Sequence, residues 1–192
     1  MLFINQNDYS HIDYNHNLDN GGMPEGRRSI ATSGCGLCSL CMVVDHLTVH
    51  SLSVEECKQL SYDNGANRQI GTNLKILAPI VAEKFGLSCT MTSDAEELKA
   101  HLRSGGEAIA NVGGDRDGYT GLFAHVGHYI VVVSADGDEL CILDPAYHTG
   151  RYEEEGRKGK VRVNEPFAYC SSEALAKDAE NRTPSYYLFK RK

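Results

Sequence analysis

The stretch Ser33-Gly34-Cys35-Gly36-Leu37-Cys38-Ser39-Leu40-Cys41-Met42 decides how this chain is read. From Gly36 to about Thr48, apolar residues at Leu37, Leu40, Cys41, Val44 and Leu47 recur at steps of three and four, the signature of a helix. Cys35 therefore stands at or just before a helix start, between two glycines. There the positive end of the helix dipole and unpaired backbone N–H groups favour thiolate over thiol. The glycines are expected to leave room for a substrate carbonyl, and a backbone N–H at the turn to help hold an oxyanion.

A nucleophilic thiol also needs a base for its proton and a third group that orients the base. Gly127-His128-Tyr129 and Asp144-Pro145 supply the candidates. Sixteen residues separate His128 from Asp144, room for one strand to run out, turn at Asp136-Gly137 and return beside itself. Pro145 biases Asp144 toward extended geometry at a strand end. His125 is the rival base and reads as an ordinary surface or core histidine.

Outward from this nucleus, residues 1 to about 33 form an arm rich in Asn, Asp, His and Gly, with a short strand expected at Leu2-Phe3-Ile4 and a solvated loop around His11 and His16. Ser53 with Glu56 forms a capping box for a helix to about Tyr62, and Thr72 to Phe85 predicts another, ending at Gly86, that Pro79 is expected to kink or split. Leu87 to Thr92 predicts a strand, and Ser93 or Asp94 caps a helix over Ala95 to Arg103. Ala108 to Val112, Val126 to Ser134 and Leu140 to Leu143 are expected as adjacent antiparallel strands. Lys160 to Val163 suggests a further strand, Glu165 to Lys177 a helix, and Tyr186 to Lys190 a closing strand. Helices first and a sheet after predict an α+β fold, a single domain over residues 1–192.

The motifs resemble a known family. Gly34-Cys35-Gly36-Leu37-Cys38-Ser39-Leu40-Cys41-Met42 is similar to the Gly-Cys-Gly-Pro-Thr-Ser-Leu-Ala-Met signature of the papain-like cysteine peptidases related to bacteriocin leader-processing enzymes, the peptidase C thirty-nine-like branch. Gly127-His128-Tyr129-Ile130-Val131-Val132 and Asp144-Pro145-Ala146 resemble that family's later segments, and Gln6 resembles its upstream glutamine. The resemblance covers roughly residues 3 to 147. It implies a papain-like fold, with Cys35 as nucleophile, His128 as base, Asp144 as orienting group and Gln6 as oxyanion donor. It implies a cysteine-dependent hydrolase of peptide or related amide bonds, working through a thioester with no cofactor. Leu37-Cys38 in place of Pro-Thr and Cys41 in place of Ala alter the helix below the nucleophile and, with it, pocket shape. The sequence carries no transporter or ATPase segment, which argues against a leader-exporting machine.

Other readings of the same residues stay open. An acyl or peptidyl transferase would use the same thioester, and a silent peptide-binding module would keep the fold without the chemistry. Cys35-x₂-Cys38-x₂-Cys41 also resembles the start of an iron–sulfur run, but Asp45 stands where the fourth cysteine would be. Zinc with His46 or His50 would need a turn where the pattern shows helix. Cys38 and Cys41 are accordingly expected in the core. Gly113-Gly114-Asp115-Arg116-Asp117-Gly118 lacks the residues of a P-loop or an EF-hand and is expected to be a mobile loop near the cleft.

Composition bounds the partners. A formal net charge of −7, from 26 acidic and 19 basic residues, argues against nucleic acid. Arg27-Arg28, the stretch Arg151 to Arg162 and the tail Lys190-Arg191-Lys192 are expected as solvated surface. No membrane span or signal peptide is visible, so the chain as written is expected to be soluble and cytoplasmic, with secretion open if a leader was removed. Seven cysteines cannot all pair internally, which fits a reducing or anaerobic setting. Oligomeric state and substrate specificity are left open by the sequence.

Overall fold

A computed structural model describes residues 1–16 and 29–192. Two short pieces lead in, a 3-10 helix Gln6–Tyr9 and the single-turn helix α1 (Ile30–Ser33), followed by α2 (Cys35–Leu47), α3 (Val54–Asp63) and α4 (Leu74–Lys84). Then come β1 (Leu87–Thr92), α5 (Ala95–Arg103), β2 (Glu107–Val112), β3 (His128–Asp136) and β4 (Glu139–Leu143). The chain closes with β5 (Arg162–Asn164), β6 (Phe167–Ser171), α6 (Ser172–Ala179) and β7 (Tyr186–Arg191). All strand pairs are antiparallel in one sheet of order β1-β7-β2-β3-β4-β6-β5, so the architecture is α+β as expected.

The sheet carries one core on each face because its side chains alternate. Along β3, Val131 joins the cluster built on α2 and α4, whereas Ile130 and Val132 join the one beneath α5 and α6. Helix α2 is the centre of the first cluster. Ten of its thirteen residues are buried, Leu37, Leu40, Met42, Val43 and Val44 among them, each contributing roughly 1.5–3 kcal/mol by the area it removes from water. A helix enclosed on nearly all sides cannot shift, so the position of its first residue, Cys35, is fixed. Cys38 and Cys41 are fully buried on it, as expected, and all seven cysteines are free.

Local signals hold at most boundaries. Ser53 and Glu56 form the capping box of α3, Asp94 caps α5, and Gly86 and Gly137 take positive φ where the chain must turn. Helix α4 runs through Pro79 without a break. No described helix is long and apolar enough to cross a membrane.

Three expectations of secondary structure are corrected. Leu2-Phe3-Ile4 forms no strand; Ile4 is buried and its N–H meets the Met42 sulfur at 3.4 Å. Glu165 to Lys177 is not one helix, because Phe167 to Ser171 alternates in burial and pairs with β4 and β5 as β6, and the Ser171 hydroxyl then caps α6. Strand β3 begins at His128, not Val126. The expected closing strand is present as β7 and lies inside the sheet, between β1 and β2.

The stretch Arg151 to Arg162 is not simply solvated either. Arg157 is 2% exposed, with its Nε donating to the Gly121 carbonyl, and Arg151 turns inward as described below. Nor does the loop Gly113 to Gly118 hang free: Asp115 accepts from Gly121 N–H, Gly113 N–H donates to the Asp178 carbonyl, and Arg116 pairs with Glu180. The dipeptide Arg27-Arg28 lies outside the described residues.

Candidate active site

Cys35 is delivered by two helices meeting at one residue. Gly34 closes α1 by donating to the Ile30 carbonyl, and its own carbonyl accepts from Cys38 N–H at 2.9 Å, opening α2. A Cβ on Gly34 would lie 2.5 Å from Ile30 Cγ2, and one on Gly36 would press on Thr72 and Tyr129 at 3.2 Å. The glycines thus serve close packing of the helix start. Cys35 remains partly exposed.

The candidate base arrives from the sheet. His128 is the first residue of β3, opposite Val112, and Asp144 follows the last residue of β4, so the tight turn after Asp136 sets them side by side. His128 Nε2 bonds Asp144 Oδ1 at 2.7 Å, with the side chains 6% and 1% exposed. Cys35 lies beside the same imidazole, near enough for charge and side-chain hydrogen bonding between thiol and ring to act on both groups. The structure therefore brings Cys35, His128 and Asp144 together.

Burial alone would push the Cys35 thiol up. The His128 charge and hydrogen bond, with the Tyr129 and Gly36 N–H groups, outweigh it and bring the thiol below its ordinary value. Burial likewise opposes charge on His128, but Asp144 and Cys35 raise it to about 9. Both directions favour a thiolate–imidazolium pair. Asp144, despite complete burial, is held well below the usual carboxylate range by His128, Arg151 and Tyr152.

That carboxylate has every lone pair engaged. Oδ1 accepts from His128 and from Ala146 N–H at 2.8 Å, while Oδ2 accepts from Arg151 Nε at 2.8 Å and the Tyr152 hydroxyl at 2.7 Å. Arg151 also donates to the Phe123 carbonyl, in the loop that leads into His128. Arg151 and Tyr152 are the site residues that sequence reasoning missed. No spacing marks them, and charge patterning assigned Arg151 to solvent.

Gln6 lies where the arm meets this centre. Its N–H donates to the Pro145 carbonyl and its side-chain Nε2 to the Ala31 carbonyl, each at 2.6 Å, which ties it to the residue after Asp144 and to α1 just ahead of Cys35. Gln6 is buried, and its Oε1 has no hydrogen-bond partner among the described residues. His16, expected in a solvated loop, is 1% exposed: one ring nitrogen contacts the Ser33 hydroxyl at 2.6 Å and the other accepts from Gly71 N–H.

A second buried carboxylate supports the approach to His128. Asp178 accepts from the Leu122 and Phe123 N–H groups and the Tyr119 hydroxyl, fixing the segment that ends at His128. As for a metal, Cys35, Cys38 and Cys41 lie on one continuous helix. Among the described residues no group of three or more His, Cys, Asp or Glu side chains is arranged to hold an ion.

No family model and no curated protein matches the sequence. Solved structures do. The peptidase domain of Streptococcus ComA, a bifunctional ABC transporter of a quorum-sensing pathway, aligns over 84% of this chain and 93% of its own, with TM-score 0.53 and 18% identity. A Bacillus anthracis protein described as a C39-like peptidase aligns over 100% of this chain and 94% of its own, with TM-score 0.57 and 13% identity. The molecule thus has the papain-like fold of C39-type peptidases, in agreement with the resemblance carried by its motifs.

Proposed function

We propose that this protein is a cysteine-dependent hydrolase that cleaves peptide or related amide bonds through a thioester. The observation that carries the proposal is the buried 2.7 Å bond from His128 Nε2 to Asp144, beside the Cys35 thiol that the same imidazole helps hold below its ordinary value. The peptidase fold of the solved neighbours supports the same reading.

In this mechanism the Cys35 thiolate attacks the substrate carbonyl carbon, and the tetrahedral oxyanion is held by backbone N–H at the helix start and by Gln6. One Gln6 amide hydrogen is engaged by Ala31, which orients the group and leaves the second for the oxyanion. The His128 imidazolium gives its proton to the leaving amine as the C–N bond breaks, and the thioester remains on Cys35. Water then attacks, His128 takes its proton, and the acid departs with the thiol restored. Asp144 stays ionised throughout and keeps His128 oriented toward the sulfur, as the orienting acid of such triads does.

The test is a digest of a diverse peptide pool read by mass spectrometry, with purified wild-type protein beside Cys35→Ala. New peptide termini that appear only with the wild type are the expected result. Equal cleavage by both proteins would overturn the proposal.

A further inference from the structure

The first turn of α2 carries a second thiol that the proposed hydrolysis does not use. We propose that Cys35 and Cys38 form a reversible disulfide when the protein meets a hydroperoxide, making Cys35-Gly36-Leu37-Cys38 a redox modification site that silences and shields the nucleophile. This inference rests on Cys35 being the reactive thiolate of the proposed site, and it does not depend on the identity of the substrate.

Geometry permits the link. Cys35 and Cys38 belong to one helical turn, closed by the bond from Cys38 N–H to the Gly34 carbonyl. A rise of about 1.5 Å and a rotation of about 100° per residue put Cα atoms three apart at about 5 Å. That lies within the span of about 4.4–6.8 Å that disulfides bridge, and the Cβ atoms, about 5–6 Å apart in a regular helix, reach the disulfide range of about 3.5–4.5 Å when the first turn tightens. Both Cβ atoms lean toward the helix N-terminus, so the Cys38 sulfur projects toward the turn that bears Cys35. Cys41, six residues along, stands about 9 Å from Cys35 by the same rise and is out of range.

Exposure divides the roles. Cys35 is partly exposed and Cys38 completely buried, so a small oxidant in solution meets Cys35 first. The surroundings agree: His128 and two backbone N–H groups favour thiolate at Cys35, whereas burial and the neighbouring Cys41 and Cys35 sulfurs keep Cys38 a thiol. A partly exposed thiolate followed at three residues by a buried thiol, at a helix N-terminus, is an arrangement in which a thiol oxidised at sulfur is captured by its neighbour.

The steps balance. The Cys35 sulfur attacks one peroxide oxygen, the O–O bond breaks, Cys35 becomes the sulfenic acid and hydroxide leaves to be protonated to water. The Cys38 sulfur then attacks the Cys35 sulfur, the S–O bond breaks, and the Cys38 proton leaves with the oxygen as a second water. One hydrogen peroxide and two thiols thus yield one disulfide and two waters. A dithiol reductant returns both cysteines to thiols and is itself oxidised to its disulfide. The link stops the reaction short of the irreversible sulfinic acid.

The experiment treats reduced full-length protein with a small excess of hydrogen peroxide at neutral pH, blocks remaining thiols with iodoacetamide and maps the peptides by mass spectrometry. The expected result is a Cys35–Cys38 peptide lacking two hydrogens, with Cys35 closed to alkylation until dithiothreitol restores it. Cys41→Ala should form the same link. Cys38→Ala should leave Cys35 as sulfinic acid that dithiothreitol does not reverse. If Cys38→Ala does not fold, the wild-type map decides alone. Wild-type Cys35 that alkylates rapidly before peroxide but ends as sulfinic acid, or pairs elsewhere, overturns the redox site and leaves the nucleophile intact. Cys35 inert toward both iodoacetamide and peroxide overturns both.

Discussion

His125 and His128 stand three residues apart, and each bonds an aspartate, yet only His128 lies beside a thiol. His125 Nδ1 meets Asp115 at 2.9 Å and its Nε2 meets Glu154 at 2.9 Å, with the ring 55% exposed. Both nitrogens are occupied by carboxylates, so none remains for a substrate or a sulfur. His128 gives Nε2 to Asp144, and its ring lies beside Cys35. The partners differ as well. Asp115 lies at the surface, where water and salt screen it, while Asp144 is buried and fixed by three further donors. A histidine–carboxylate pair is therefore common chemistry; what lies beside the ring and how deeply the carboxylate is buried distinguish the two.

The comparison breaks most sharply at the histidines themselves. His128→Ala should lower the wild-type rate of peptide cleavage by roughly 10³-fold or more, whereas His125→Ala, which removes exposed ion pairs worth about 0–1 kcal/mol, should stay within about threefold. Initial rates on whichever peptide the pool reveals decide it. Comparable losses for both variants would erase the distinction.

Their acids come next. Asp144→Asn should slow cleavage by roughly 10²-fold or more and cost about 3 kcal/mol in denaturant unfolding, because Arg151 loses its buried partner; Asp115→Asn should change either by little. The two carboxylates also predict a pH signature. The folded-state pKa of Asp144 is depressed, so its contribution to stability is present above the ordinary carboxylate value of about 3.9 and is lost as pH falls below it. Unfolding midpoints should therefore decline on the acid side in wild type and decline less in Asp144→Asn. Gln6→Ala, the loss of one oxyanion donor, should cost roughly 10²-fold in the rate constant for cleavage, with a smaller effect on KM. Tyr152→Phe removes one of four donors on Asp144 and should cost about 1 kcal/mol of stability, with the smallest rate effect of the set.

How much of this was visible in the sequence follows the range of the interactions. Cys35, His128 and Asp144 were legible because each rests on a local rule: apolar periodicity opens a helix at Cys35, and the glycine turn after Asp136 pairs the strands that flank His128 and Asp144. Arg151 and Tyr152 were not, since their place depends on a loop folding back over β4, and no periodicity encodes that. Arg157 shows the same limit, as a charged run read as solvent-facing turned one guanidinium onto a buried carbonyl. Glu165 to Lys177 has helix-forming composition in its second half, and pairing with β4 claimed the first half as strand. His16 was misjudged because polar composition in the arm hid its contact with Ser33 beneath it.

The central claim is that His128 holds Cys35 as a thiolate. Its most direct measurement is the rate of Cys35 alkylation by iodoacetamide across pH, compared between wild type and His128→Ala. The account predicts a wild-type profile whose midpoint lies below the ordinary thiol value of about 8.5, and a midpoint above the wild-type one in His128→Ala. Superimposable profiles would contradict it.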